Sequence, residues 1–179
     1  MTRRGWIRIA YALTMGLVFA FLQTGYFFQL QLRLTSAYPS FLTITLAWLA
    51  GSAAGVWLGA RASQAAQGGR PVLAEAAWLA ASLIAYYLVL VLLRAAPYRT
   101  SMLPLLALLI AVSGVQAGRF FGANSPLFAS AGRLFLWENN GFVLGWIAAF
   151  AGYVGFGGVF HWAAPALAAI AAAGLRWRS

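Results

Sequence analysis

The sequence predicts an all-α fold, a polytopic integral membrane bundle of about six transmembrane helices with both termini in the cytoplasm. Three observations predict it. Of 179 residues, 63% are hydrophobic and only 8% charged, and the mean hydropathy is +0.82. A soluble domain of this length carries roughly 25% charged residues, so this chain lacks the polar side chains to cover a water-facing surface, and lipid must be its main solvent. Six apolar runs follow one another with short turn-rich connections between them. All twelve basic residues are arginines, and nearly all fall between those runs.

Crossing the hydrocarbon takes roughly 20 apolar residues in a helix. The runs are 6–32, 41–58, 72–93, 102–118, 134–156 and 159–175. The stretch 1–20 has the format of a secretory signal ending in Val18-Phe19-Ala20, but the apolar run continues past Ala20, which predicts an uncleaved first helix. Tyr38-Pro39-Ser40, the segment 67–71 (Gln-Gly-Gly-Arg-Pro) and Asn124-Ser125-Pro126 read as connections. Only Gly157-Gly158 separates the last two runs. No connection is long enough for a second domain, so the whole chain, 1–179, reads as one transmembrane domain.

An even number of spans puts both termini on one side. That side would hold Arg3, Arg4, Arg8, Arg61, Arg70, Arg119, Arg133, Arg176 and Arg178, against Arg33, Arg94 and Arg99 on the other. Basic residues concentrate on the cytoplasmic side of membrane proteins, so the asymmetry predicts N-in, C-in topology in a bacterial inner membrane. The same arginines account for the net charge of +10. Scattered between spans, they mark topology and contact with lipid rather than nucleic acid.

Small residues recur at helical spacing on three runs. Gly51, Gly55 and Gly59 lie four apart on the second. Ala107, Ala111, Gly114 and Gly118 line one face of the fourth, and Gly141, Gly145, Ala149 and Gly152 one face of the fifth. In lipid no hydrophobic drive brings helices together. Association rests on close backbone approach, which small residues permit. These faces are expected to be packing seams; a translocation path or a docking face for another subunit is the functional alternative.

The run Leu49-Ala50-Gly51-Ser52-Ala53-Ala54-Gly55-Val56-Trp57-Leu58-Gly59-Ala60-Arg61 resembles a glycine-rich segment of bacterial membrane-spanning spermidine synthase-like proteins. Gly132-Arg133-Leu134-Phe135 followed by Gly141-Phe142-Val143-Leu144-Gly145 is similar to a second segment of that family, in the same order and spacing. The resemblance implies a helical membrane domain over most of the chain. In the family this domain is typically followed by a soluble aminopropyltransferase-like domain with a Rossmann-type nucleotide site. Here the sequence ends at Ser179, with no Gly-x-Gly motif after a strand and no aspartate, so the family's enzymatic activity is not expected of it. At Leu136-Trp137-Glu138-Asn139-Asn140 the sequence departs from the family pattern by placing a carboxylate in the membrane segment.

Candidate chemistry is sparse. With no cysteine, aspartate or lysine, the titratable inventory is Glu75, Glu138, His161 and seven tyrosines. Disulfides, thiolate metal sites and cysteine nucleophiles are excluded. Glu138 lies roughly 7 Å along its helix from Arg133, on the small-residue face of Gly141 and Gly145. A carboxylate near a helix centre costs about 2.5–3.5 kcal/mol to insert, so it needs a reason to be there. Two readings stand: a carboxylate paired with Arg61 or Arg119, or a proton or cation site or partner anchor, with Asn139 and Asn140 beside it. Glu75, one turn past Arg70-Pro71, reads as a first-turn carboxylate favoured by the helix dipole and by the nearby arginine. His161, the only histidine, cannot by itself supply both axial ligands of a haem or three ligands for zinc; it reads as structural, or as a contact to a quinone or to a cofactor held by another chain. Gln29 and Arg33, four apart, share the outer end of the first helix, where Arg33 would snorkel to the interface.

No cofactor or metal and no enzyme activity is expected. The expected function is a non-catalytic membrane subunit that packs within or anchors a larger inner-membrane assembly, with other membrane proteins, lipid or a second copy as partners. The alternative is a small ion- or proton-coupled transporter with Glu138 as coupling site.

Overall fold

A computed structural model describes residues 3–65 and 71–178; the predicted connection around Arg70 lies outside them. Six α-helices run in order: α1 (Arg3–Arg33), α2 (Ala37–Ala65), α3 (Pro71–Ala95), α4 (Leu103–Asn124), α5 (Ala131–Phe156) and α6 (Gly158–Arg178), with 3-10 turns at Thr100–Met102 and Ser125–Leu127. No strand occurs among the described residues. Every predicted run forms one helix, and each helix extends beyond its run. One extension takes in Tyr38-Pro39-Ser40, read as a connection, which forms the first turn of α2. A proline is tolerated there because the first-turn N–H groups have no intrahelical acceptor to lose.

Helices α1, α2, α3, α4 and α6 are long and apolar enough to cross a membrane. This is a membrane-embedded helical protein. At 26 residues α5 has spanning length, but Glu138, Asn139 and Asn140 interrupt its apolar run.

Helix α1 is the hub, packing against all five others. Its Ala12, Met15, Val18, Ala20, Leu22, Tyr26 and Leu30 have no exposed surface at all. The tightest seam, however, joins α2 to α4. A Cβ added at Gly51, Gly55 or Gly59 would collide with the carbonyl oxygens of Ala111, Val115 and Arg119. One added at Gly114, Gly118 or Gly122 would collide with those of Trp48, Ser52 and Val56. The contacts climb both helices together, so α2 and α4 run parallel with interleaved glycine stripes, backbone on backbone. Ser52 Oγ also donates across the seam to the Gly114 carbonyl at 3.3 Å.

The α5 stripe meets α1 in the same parallel sense. Gly141 abuts the Leu13 backbone, Gly145 the side chain of Ala20 and the backbone of Leu17, and Gly16 of α1 abuts the carbonyl of Glu138. The small residues of α2, α4 and α5 are therefore packing seams.

The last two helices are joined at Gly157, whose φ of 59° is the left-handed region that favours glycine. Its N–H caps α5 by donating to the Tyr153 carbonyl at 2.8 Å. Odd-numbered helices run one way and even-numbered ones the other. One end of the bundle thus collects Arg3, Arg4, Arg8, Arg61, Arg119, Arg133, Arg176 and Arg178, and the other Arg33, Arg94 and Arg99.

Candidate functional site

The principal polar cluster lies at the arginine-rich end and is built around Glu75, from four helices. Arg176 of α6 donates through Nε to Oε2 of Glu75 at 2.5 Å and through Nη2 to Oε1 at 3.2 Å. Tyr11 of α1 donates its hydroxyl to Oε2, and Asn124 of α4 donates Nδ2 to Oε1, each at 3.2 Å. The two charged side chains are only 14% and 11% exposed. A carboxylate accepting four hydrogen bonds, two from a guanidinium fork, repays part of the cost of leaving water. The charged partner of Glu75 is thus an arginine 101 residues away, whereas Arg70, the neighbouring arginine in the sequence, lies outside the described residues. The cluster clamps α1, α3, α4 and α6 at one end.

The middle of the bundle is closed. Phe19, Tyr26, Tyr86, Leu90, Leu106 and Ile110 are each at most 2% exposed. Tyr26 and Ser113 share a 2.7 Å hydrogen bond, and Tyr26 packs edge-on against Tyr86 at 5.1 Å.

Toward the far end, Pro165 lies inside α6. Having no N–H, it cannot bond the carbonyl of His161 four residues earlier. Tyr86 of α3 donates its hydroxyl to that carbonyl at 2.9 Å, and Tyr87 donates to the next carbonyl, of Trp162, at 2.6 Å. The helix break thereby becomes a cross-link between α3 and α6. His161 is 1% exposed, among Phe28, Tyr153 and Phe160, and its Nε2 has no hydrogen-bond partner among the described residues. It and Glu75 occupy opposite ends of the bundle, so they share no site. Among the described residues no three His, Cys, Asp or Glu side chains converge to hold a metal.

Arg33 donates Nε to Gln29 Oε1 at 3.1 Å, as their four-residue spacing anticipates. The Arg33 carbonyl also accepts the N–H of Tyr98 at 2.6 Å, and Tyr98 takes a φ of 62°. The end of α1 is thereby tied to the α3–α4 connection.

Glu138, Asn139 and Asn140 form a different kind of place. Glu138 is half-buried on α5, and Asn139 and Asn140 are exposed. Neither expected arginine reaches the carboxylate: Arg61 lies over the Trp57 ring at 3.5 Å and Arg119 over the Trp78 ring at 5.2 Å. The reason is placement, since α2 and α4 form their own pair while α5 packs on α1. Glu138 has no hydrogen bond or ion pair with any described residue. Around this polar strip α5 exposes Phe135, Leu136, Val143, Leu144 and Ile147.

No family model, curated protein or solved structure matches this chain.

Proposed function

We propose that this protein is a non-catalytic subunit of a membrane assembly, docked to another membrane protein through the face of α5 that carries Glu138, Asn139 and Asn140. The observation that carries this reading is that strip itself. One carboxylate with no partner among the described residues and two exposed amides sit roughly 7–10 Å along the helix from Arg133, inside a band of exposed apolar side chains. Lipid tails offer no hydrogen bonds, and intramembrane polar side chains characteristically face protein or a water-filled cavity. A partner helix with matching donors would satisfy all three. Glu75 supports the non-catalytic part, because its carboxylate is fully engaged in holding four helices together. The test is what lies against position 139 in native membranes, where an unlike protein chain is expected.

The alternative, a small proton- or cation-coupled transporter using Glu138, draws on the same carboxylate. It lacks a path, since the centre of the bundle is filled by Phe19, Tyr26 and Tyr86. The likeness of 49–61 and 132–145 to spermidine synthase-like membrane domains supports a membrane module of that general kind.

The segregation of arginines to the two bundle ends supports six spans with both termini in the cytoplasm of a bacterial inner membrane. A reporter fused to the C-terminus should register cytoplasm and one at Arg99 the outer side. A C-terminus found outside would sink this topology.

A further inference from the structure

Among the described residues, the arginine-rich end holds a second charged place besides the Glu75 cluster. A cavity of about 170 Å³ opens there between the start of α1 and the start of α5, lined by Arg8, Arg133, Trp137, Leu127, Phe128 and Ala129 among others. Arg8 is aimed by one hydrogen bond, Nη1 to the Leu127 carbonyl at 3.1 Å. A guanidinium carries five N–H donors, so the others are left for a ligand. The Arg133 guanidinium has no partner among the described residues. Ala129 and Arg133 flank the first turn of α5, whose dipole adds positive potential at the same spot.

Two like charges facing one cavity favour an anion there, and the described part of the chain has little to offer. The whole chain has only two acidic residues against twelve arginines. Glu75 is bound by Arg176, Tyr11 and Asn124. Glu138 makes no bond to either arginine and does not line the cavity. The counter-charge therefore comes from outside the chain.

We infer that this cavity binds the phosphate of an anionic phospholipid. A phosphodiester presents oxygens that two guanidiniums can grip by paired hydrogen bonds. Trp137 is of the residue type that anchors at the headgroup level. The exposed apolar side chains of Phe135 and Leu136 on α5 give acyl chains a surface to lie along. Basic pockets between helices at the cytoplasmic face are suited to such headgroups.

The test measures lipid binding to the detergent-purified full chain by native mass spectrometry, with thermal stability read in parallel. Phosphatidylglycerol should bind roughly tenfold or more tightly than phosphatidylcholine, a preference set by two arginines at the membrane surface. The double variant Arg8→Gln/Arg133→Gln should lose that preference, and Arg3→Gln/Arg4→Gln, which removes equal charge from the same end, should keep it. Ala129→Leu fills the cavity without touching a charge and should also lose the preference; it decides the matter if the double variant does not fold. Equal binding of the two lipids by the native chain would overturn the inference. So would an equal loss from Arg3→Gln/Arg4→Gln, which would mean diffuse surface charge. Displacement of phosphatidylglycerol by millimolar inorganic phosphate would assign the cavity to a soluble anion instead.

Discussion

Glu75→Ala should be the most damaging single substitution of a charged residue in this protein. It removes the carboxylate that pairs with the largely buried Arg176 and, at once, the acceptor for Tyr11 and Asn124. Breaking a buried, hydrogen-bonded ion pair from one side costs about 3–5 kcal/mol. With the arginine only 14% exposed and the carboxylate 11%, little solvent screening softens that figure. Glu75→Gln should be milder, because the amide keeps an acceptor oxygen for Tyr11 or Arg176 and loses only the charge. The double variant Glu75→Ala/Arg176→Leu should recover much of the loss, since neither charge remains. Thermal unfolding of the four proteins in one detergent checks the order. If Glu75→Ala unfolds at the native temperature, the cluster is not what clamps the four helices.

Gly55→Leu should be comparably severe for a different reason. Its Cβ would strike the Val115 carbonyl and lie 2.9 Å from the Arg119 nitrogen, and both are helix backbone that cannot rotate away. Overpacking costs about 1–3 kcal/mol where side chains can adjust and more where they cannot. The α2 and α4 helices would have to separate along the whole glycine stripe, giving up the dispersion contacts that hold them together in lipid. A fall in melting temperature on the order of 10 °C is expected. Ala53→Leu, on the exposed opposite face of α2, should change little. Equal melting of the two variants would mean that the α2–α4 seam is not a closed packing surface.

Much of this architecture is legible in the sequence because single helices announce themselves locally. The six apolar runs give six helices, and the stripes at Gly51, Gly55, Gly59, Gly114, Gly118, Gly141 and Gly145 mark faces that do pack. Their partners are not legible, because periodicity says which face is buried and never against what. Gly55-Val56-Trp57-Leu58-Gly59 on α2 and Gly114-Val115-Gln116-Ala117-Gly118 on α4 share one spacing and form two halves of one seam. Gly16 lies far from Gly5 and Gly25 on α1 and belongs to no stripe, yet it receives the backbone of α5. Glu75 was invisible as a hub for the same reason. Tyr11, Asn124 and Arg176 lie on three other helices, and only the assembled bundle brings them together. Pro165 was a readable signal, since a proline inside an apolar run frees a carbonyl that something must bond. A bond to the freed His161 carbonyl, which Tyr86 supplies, could be foreseen in kind but not in partner.

Glu138 shows the opposite case. Its oddity is plain in the sequence, and folding the chain does not resolve it. The most direct measurement is site-specific photo-crosslinking in native membranes, with a probe replacing Asn139 on α5 and, as a reference, Ile170 on the exposed face of α6. A docked subunit predicts a discrete adduct from position 139 to one unlike protein, lost in Glu138→Leu, and no protein adduct from position 170. Lipid adducts alone from both positions would contradict the proposal that this face of α5 holds a partner.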